Sequence, residues 1–231
     1  MKTIGLLGGM SWESTAHYYE AINELTKARL GGLHSAPIAM VSLDFAPIEV
    51  VQHTGDWDDL ADRLITGARQ VQAAGAGCLV VCANTAHIVA DEIQAAIDIP
   101  LLHIADATAQ ALARDQVTSV GLLGTSFTME EAFYKDRLAH RYGLDVMVPE
   151  SSDRQYIHGA IYRELVRGEI NDDTRAGFVK IIDALAAQGA KGIILGCTEI
   201  GLLVQQVHTA IKLYDTTVIH AEAAVQWALS G

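Results

Sequence analysis

The sequence predicts an α/β protein made of two pseudo-symmetric halves, each a mainly parallel sheet flanked by helices. Three observations carry that prediction. Short apolar runs alternate with longer amphipathic segments, the pattern of strands joined by crossover helices. A block running from Gly75-Ala76 to Cys82-Ala83-Asn84-Thr85 returns 114 residues later, from Gly189-Ala190 to Gly196-Cys197-Thr198-Glu199. The opening run Ile4-Gly5-Leu6-Leu7-Gly8-Gly9 likewise returns 116 residues later as Val120-Gly121-Leu122-Leu123-Gly124-Thr125.

Ile4 to Leu7 reads as the first strand and Gly8-Gly9 as a tight turn. Ser11 to about Leu30 reads as a helix, with Tyr18, Ile22 and Leu25 at helical spacing. Ile38 to Leu43 is a second strand. Asp59 to Ala74 is a helix with Leu60, Leu64, Ala68 and Val71 on one face. Cys78 to Cys82 is apolar throughout, as expected of a strand buried on both faces. Asn84 or Thr85 caps the helix that follows, and Pro100 to Ile104 forms a short fourth strand before a helix over Ala105 to Ala113. The second half repeats the plan. Helices are expected over Glu130–Tyr142, Asp153–Arg167 and Asp172–Gln188, with strands at Val146–Val148 and Ile193–Leu195. A helix through Leu202, Leu203 and Val207, a strand Leu213–Asp215 and a helix Ala221–Leu229 complete it. The halves are placed at residues 1–113, joined by a returning segment at about 213–231, and at 114–212. No Pro/Ser-rich linker separates them.

Composition narrows the function. The chain has 231 residues, 50% apolar and 19% charged, with a formal net charge of −12. That balance argues against nucleic acid and anionic membrane as partners, since both need a basic face. The N-terminal apolar run is too short and too glycine-broken for a signal peptide, and no stretch is long enough to span a bilayer. Three cysteines form no disulfide framework, so a reducing, cytoplasmic setting is expected. Gly8-Gly9 fits neither the dinucleotide fingerprint nor a Walker loop, and is read as a turn whose backbone approaches a small ligand. His87 and Asp91 stand one helical turn apart, but two positions do not make a metal site and a helix-surface pair is the simpler reading; no metal is expected.

Ligands of open parallel sheets bind beyond the carboxyl ends of the strands. Both copies of the repeated block end there. In register, Ala83 corresponds to Cys197, Asn84 to Thr198 and Thr85 to Glu199. A pseudo-twofold would bring positions 83 and 197 face to face across one cleft. Cys197, just before a helix N-terminus that Thr198 could cap, is expected to have a lowered thiol pKa. Glu199 is close enough to tune its proton affinity. Cys82 is a poor substitute for a thiol at 83, because a one-residue offset points it to the other face of its strand. Cys78 reads as core. Asn84 and Thr85 serve either as helix caps or as holders of a carboxylate at free backbone N–H groups. Thr125, with Ser126, serves either as a similar donor or as a cap.

The motifs Gly8-Gly9-Met10-Ser11, Asn84-Thr85-Ala86-His87 and Gly196-Cys197-Thr198-Glu199 resemble the pyridoxal-phosphate-independent aspartate/glutamate racemase family, over the whole chain and including the duplication. The resemblance implies two α/β domains with an amino acid between two cysteines, one taking the α-proton and the other returning a proton to the opposite face. It implies no cofactor, a homodimer and a small amino-acid or dicarboxylate ligand. It assigns Asn84, Thr85 and Thr198 to the α-carboxylate and ammonium region, Met10 and Gln52 to the pocket lining, and Cys197 to proton transfer. Family members also use a cationic residue for the distal carboxylate, and Arg163 and Arg167 lie in the matching region. The departure is Ala83, where the usual pattern has cysteine. The expected activity is therefore thiol-based racemisation of aspartate or glutamate, slow or biased to one enantiomer. A one-cysteine, cofactor-free decarboxylase and a non-catalytic dicarboxylate-binding relative stand as alternatives.

Overall fold

The glycine-terminated strand β1 (Ile4–Gly8) is buried along its whole length and organises the first half of the computed structural model, which describes residues 1–230. Ser11 caps α1 (Trp12–Leu30) by accepting a hydrogen bond from the Ser14 N–H. Then come β2 (Ile38–Ser42), α2 (Phe45–Thr54), α3 (Trp57–Ala73) and β3 (Cys78–Val81). A 3-10 turn, Thr85–Val89, leads into the short helix α4 (Ala90–Ala95). The strands form a parallel sheet of order β2-β1-β3, with Leu7 paired to Val41 and Val81. Alternation along the strands separates two buried clusters. Leu7, Leu79, Val81 and Ala83 pack with Leu60, Leu64 and Val71 of α3. Ile4, Leu6, Cys78, Val80 and Cys82 pack on the other face with Tyr18 and Ile22 of α1.

The second half opens with α5 (Ile104–Arg114) and β4 (Ser119–Gly124). It continues through α6 (Ser126–Glu130), α7 (Ala132–Tyr142), β5 (Asp145–Met147), α8 (Ser151–Arg163), α9 (Asp172–Ala187) and β6 (Ile193–Gly196). It closes with α10 (Ile200–Leu203) and β7 (Leu213–Asp215), after which the last helix of the chain, α11 (Thr216–Leu229), begins. Its sheet is also parallel, of order β5-β4-β6-β7. The registers match the sequence repeat: Leu7 pairs with Val81 and Leu123 with Leu195, so both offsets, 116 and 114, describe one paired unit used twice.

The compact units are Met1–Ile104 with His220–Gly231, and Ala105–Ile219. Both differ from the expected boundaries of 113/114 and 212/213; the last expected residue, Gly231, lies outside the described residues. Residues 105–113 fall in the second unit, where Asp106 holds Arg137 at 2.6 Å. Residues 213–215 also belong there, because β7 extends the second sheet beside β6. The final helix, by contrast, does pack on the first unit: Ala221, Ala224, Val225 and Ala228 complete the cluster around Cys82.

Other departures are local. The expected strand at Pro100–Ile104 is reduced to one bridge, Leu79 to Leu101, because Pro100 has no N–H to donate and α5 starts at Ile104. The structure adds α2. Asp44 caps it, Pro47 sits in its first turn where a missing N–H costs nothing, and left-handed Gly55 ends it. The expected helix Glu130–Tyr142 is divided by extended backbone at Glu131. The one over Asp153–Arg167 starts at Ser151 and breaks at Glu164. Thr85–Val89 is a 3-10 segment rather than the start of a long helix.

Candidate active site

In the first unit, the loops after β1 and β3 bring together the residues read from the sequence. Met10 follows the Gly8-Gly9 turn, and Ala83, Asn84 and Thr85 follow β3; all are buried. Gln52, on α2, is buried as well. Met10, Val51, Ala83 and Ala86 share one cluster, so α2 and the two strand ends meet at this edge of the sheet. Gly9 is needed for a reason other than the expected ligand approach. Its φ is +92°, and a Cβ there would lie 2.1 Å from the Leu43 carbonyl oxygen. The Gly9 N–H donates to Thr15 Oγ1 at 2.8 Å, and that hydroxyl donates to the Ser11 carbonyl, so the turn is tied to α1. Asn84 stands at the N-cap position of the 3-10 segment but makes no side-chain cap there.

Strand parity sends Cys78 and Cys82 to one face of the sheet and Ala83 to the other. Cys78 and Cys82 are wholly buried and pack toward α1, away from the Ala83 cluster. Burial pushes the Cys78 thiol up to about 11 and raises that of Cys82 further. Cys82 therefore packs in the core, on the face away from Ala83.

The second unit places Thr125 and Cys197 at the ends of paired strands. Gly124 and Gly196 are register partners, and a Cβ on Gly124 would approach the Gly196 carbonyl to 2.8 Å. Small residues here let the two loops lie close together. Thr125 caps α6, its hydroxyl accepting from the Thr128 N–H at 3.2 Å. Cys197 keeps 8% exposure, which distinguishes it from the other two thiols. Its Sγ donates to Glu199 Oε2 at 2.9 Å, and Thr198 Oγ1 donates to the same oxygen at 2.9 Å. Thr198 is not a helix cap: Glu199 holds that position, without a side-chain cap bond.

The expected fall of the Cys197 pKa is overturned. Burial first, then the charge of Glu199 and its hydrogen bond, hold the thiol well above its ordinary value. The Thr198 and Glu199 backbone groups pull the other way without winning. Helix α10 has only four residues, too short to present the field of a longer helix. Cys197 thus rests as a thiol, hydrogen-bonded to Glu199.

Two histidines have roles the sequence did not show. His158 Nδ1 accepts the Ser126 N–H at 3.1 Å beside the Thr125 turn, from a partner 32 residues away. No local motif announces such a pair. His87 is buried, not the surface partner of exposed Asp91; its ring lies 4.6 Å from that of His103 and 5.8 Å from that of His220. Among the described residues no group of three or more His, Cys, Asp or Glu could hold a metal ion. Arg163 is exposed and its guanidinium lies over Gly159, while Arg167 is exposed in a 3-10 turn.

The sequence model of the family described as Asp/Glu/Hydantoin racemase matches residues 7–224. The chain belongs to that family. Over 98% of both chains it is 23% identical to the broad specificity amino-acid racemase RacX of Bacillus subtilis (strain 168). Its structure resembles that of a Yersinia pestis protein assigned as an Asp/Glu racemase, with 49% identity, full coverage of both chains and a TM-score of 0.91. It also resembles an aspartate racemase homologue from Pyrococcus horikoshii OT3, at 31% identity over 99% of each chain and a TM-score of 0.85. As an Asp/Glu/hydantoin racemase family member the chain is an enzyme-family isomerase scaffold whose two repeated loops carry different chemistry. A methyl group stands at 83 and a carboxylate-paired thiol at 197.

Proposed function

We propose that the protein is a cofactor-independent racemase of aspartate or glutamate in which Cys197 is the catalytic thiol and Ala83 biases the reaction to one face. The reading rests on a single observation, the thiol–carboxylate pair Cys197–Glu199 at the position whose repeat carries only a methyl group. Asn84, Thr85 and Thr198 hold the α-carboxylate and ammonium group, Thr125 donates beside them, and Met10 and Gln52 line the pocket. Glu199 takes the thiol proton. The thiolate then breaks the Cα–H bond, forming S–H and leaving the electron pair on Cα, conjugated with the carboxylate. The same thiol, after exchange with solvent, returns a proton to the same face. Inversion needs a donor on the other face, and Ala83 supplies none, so water must serve. Exchange should therefore outrun racemisation.

In deuterated water, L-aspartate or L-glutamate is expected to exchange its α-hydrogen, and Cys197→Ser is expected to abolish exchange. No exchange with either amino acid overturns the reading. Ala83→Cys supplies the second thiol and should raise racemisation relative to exchange by about tenfold or more, on the scale of a positioned acid–base group; chiral chromatography measures it. Cysteine usage supports a cytoplasmic setting and the family resemblance a homodimer; light scattering checks the dimer.

The resting protonation of Cys197 favours one second reading, a decarboxylase of a substituted malonate in which the thiol only donates a proton. It predicts carbon dioxide release that depends on Cys197, without exchange of any amino acid. If neither reaction occurs, a dicarboxylate-binding role predicts thermal stabilisation by succinate or aspartate that survives Cys197→Ser.

A further inference from the structure

The turn that carries Asn84 and Thr85 is held from behind by a chain of buried hydrogen bonds. His87 Nδ1 lies 2.8 Å from the Ala83 carbonyl oxygen, and the Ile104 N–H donates to His87 Nε2 at 3.3 Å. A backbone N–H can only donate and a carbonyl can only accept. The ring is therefore neutral here, with its proton on Nδ1. His220 repeats the arrangement nearby. Its Nε2 lies 2.6 Å from the Leu102 carbonyl, so that nitrogen carries the proton and Nδ1, 3.0 Å from Tyr18 Oη, accepts from the phenol. The two histidines thus grip Leu102 and Ile104 on either side of His103, whose ring packs at a tilt against that of His87. Tyr18, His87, His103 and His220 are all buried.

We infer that His87 is a positioning residue for the turn Ala83-Asn84-Thr85, acting as the Nδ1–H tautomer that ties the Ala83 carbonyl to the fixed segment 102–104. This rests on the proposed role of Asn84 and Thr85 in holding the substrate carboxylate. The 3-10 segment is short and irregular, with the His87 N–H reaching back to the Asn84 carbonyl at 3.0 Å. The imidazole adds a side-chain tie one residue earlier, at the Ala83 carbonyl, and sets which way the N–H groups of the turn point. A residue acting this way alters how well substrate binds more than how fast the bound substrate reacts.

The test uses the full chain labelled with nitrogen-15 and the variants His87→Phe, which removes both ring nitrogens, and His87→Asn, whose amide can still donate to Ala83. Ring nitrogen shifts are expected to show His87 protonated at Nδ1. Amide hydrogen exchange at Asn84, Thr85 and Ala86 is expected to rise about tenfold or more in His87→Phe and to return within about threefold in His87→Asn. With L-aspartate, KM for α-hydrogen exchange should rise about tenfold in His87→Phe with kcat within about threefold, again restored by asparagine. A ring protonated at Nε2, unchanged amide exchange in His87→Phe, or a variant with asparagine no better than the one with phenylalanine overturns the inference. If His87→Phe does not fold, His87→Gln takes its place, since its amide sits at the Nε2 position and should behave as the phenylalanine does. If the parent protein exchanges neither L-aspartate nor L-glutamate, the proposed reaction falls while the amide and ring measurements still decide His87.

Discussion

At Cys197 burial, reinforced by the Glu199 carboxylate, wins over the backbone N–H groups. Glu199→Gln removes the charge and leaves an amide of similar shape. The thiol should then lose its proton at lower pH, so the midpoint of the pH profile for iodoacetamide alkylation at Cys197 moves down; mass spectrometry of that site measures it. A midpoint that stays or rises would show that Glu199 does not hold the proton. Gly9 gives a second residue-scale prediction. Gly9→Ala must place a Cβ against the Leu43 carbonyl at positive φ, and should cost about 2–4 kcal/mol in urea unfolding. The importance of Cys197 could be read from the repeat. The direction of its pKa could not, because the sequence does not reveal that the following helix is one turn long or where the Glu199 carboxylate turns.

At the scale of elements, the period-two alternation of β3 carries the distinction between Cys82 and position 83. Cys82→Ala should leave substrate α-hydrogen exchange unchanged and cost about 1 kcal/mol from the gap left in a filled core, whereas Cys197→Ser should abolish exchange. Urea titration and the deuterium assay separate the two; loss of exchange in Cys82→Ala would refute the assignment by parity. The buried strands and the long amphipathic helices were legible because their apolar positions repeat with a fixed period. Helix α2 carries readable signals in Asp44, Pro47 and Gly55, but at ten residues it is too short for its apolar period to stand out. Pro100 to Ile104 looked like a strand by composition, but only one residue finds a ladder partner.

At the scale of the molecule, the chain passes between its compact units after Ile104 and again after Ile219. His220 is the first residue after the second passage and is wholly buried, which lowers its pKa from 6.5 to about 4. The folded chain keeps this ring neutral while the unfolded chain protonates it below pH 6.5. Stability from this group is thus intact above about pH 6.5 and falls as pH drops toward 4, by roughly 3 kcal/mol in all. His220→Gln retains a donor toward Leu102 and cannot titrate. It should flatten the decline in urea-unfolding free energy between pH 7 and pH 4.5; an unchanged slope would exclude His220 as its source. Asp106, whose carboxyl is held below its usual range against the cost of burial by the Arg137 guanidinium, loses its share only at lower pH, in parent and variant alike.

The sequence by itself determined the duplicated α/β plan, the register that matches Ala83 to Cys197 in the repeat, and the parity that turns Cys82 away from the face of position 83. All three follow from periodicity and offset, which are properties of a chain in one dimension. Tertiary structure decided that residues 213–215 join the second sheet, that Cys197 rests as a thiol, and that His87 lies in a buried histidine cluster. Each depends on groups far apart in sequence, or on the direction a side chain takes once buried. Burial and hydrogen-bond geometry exist only after the chain has folded.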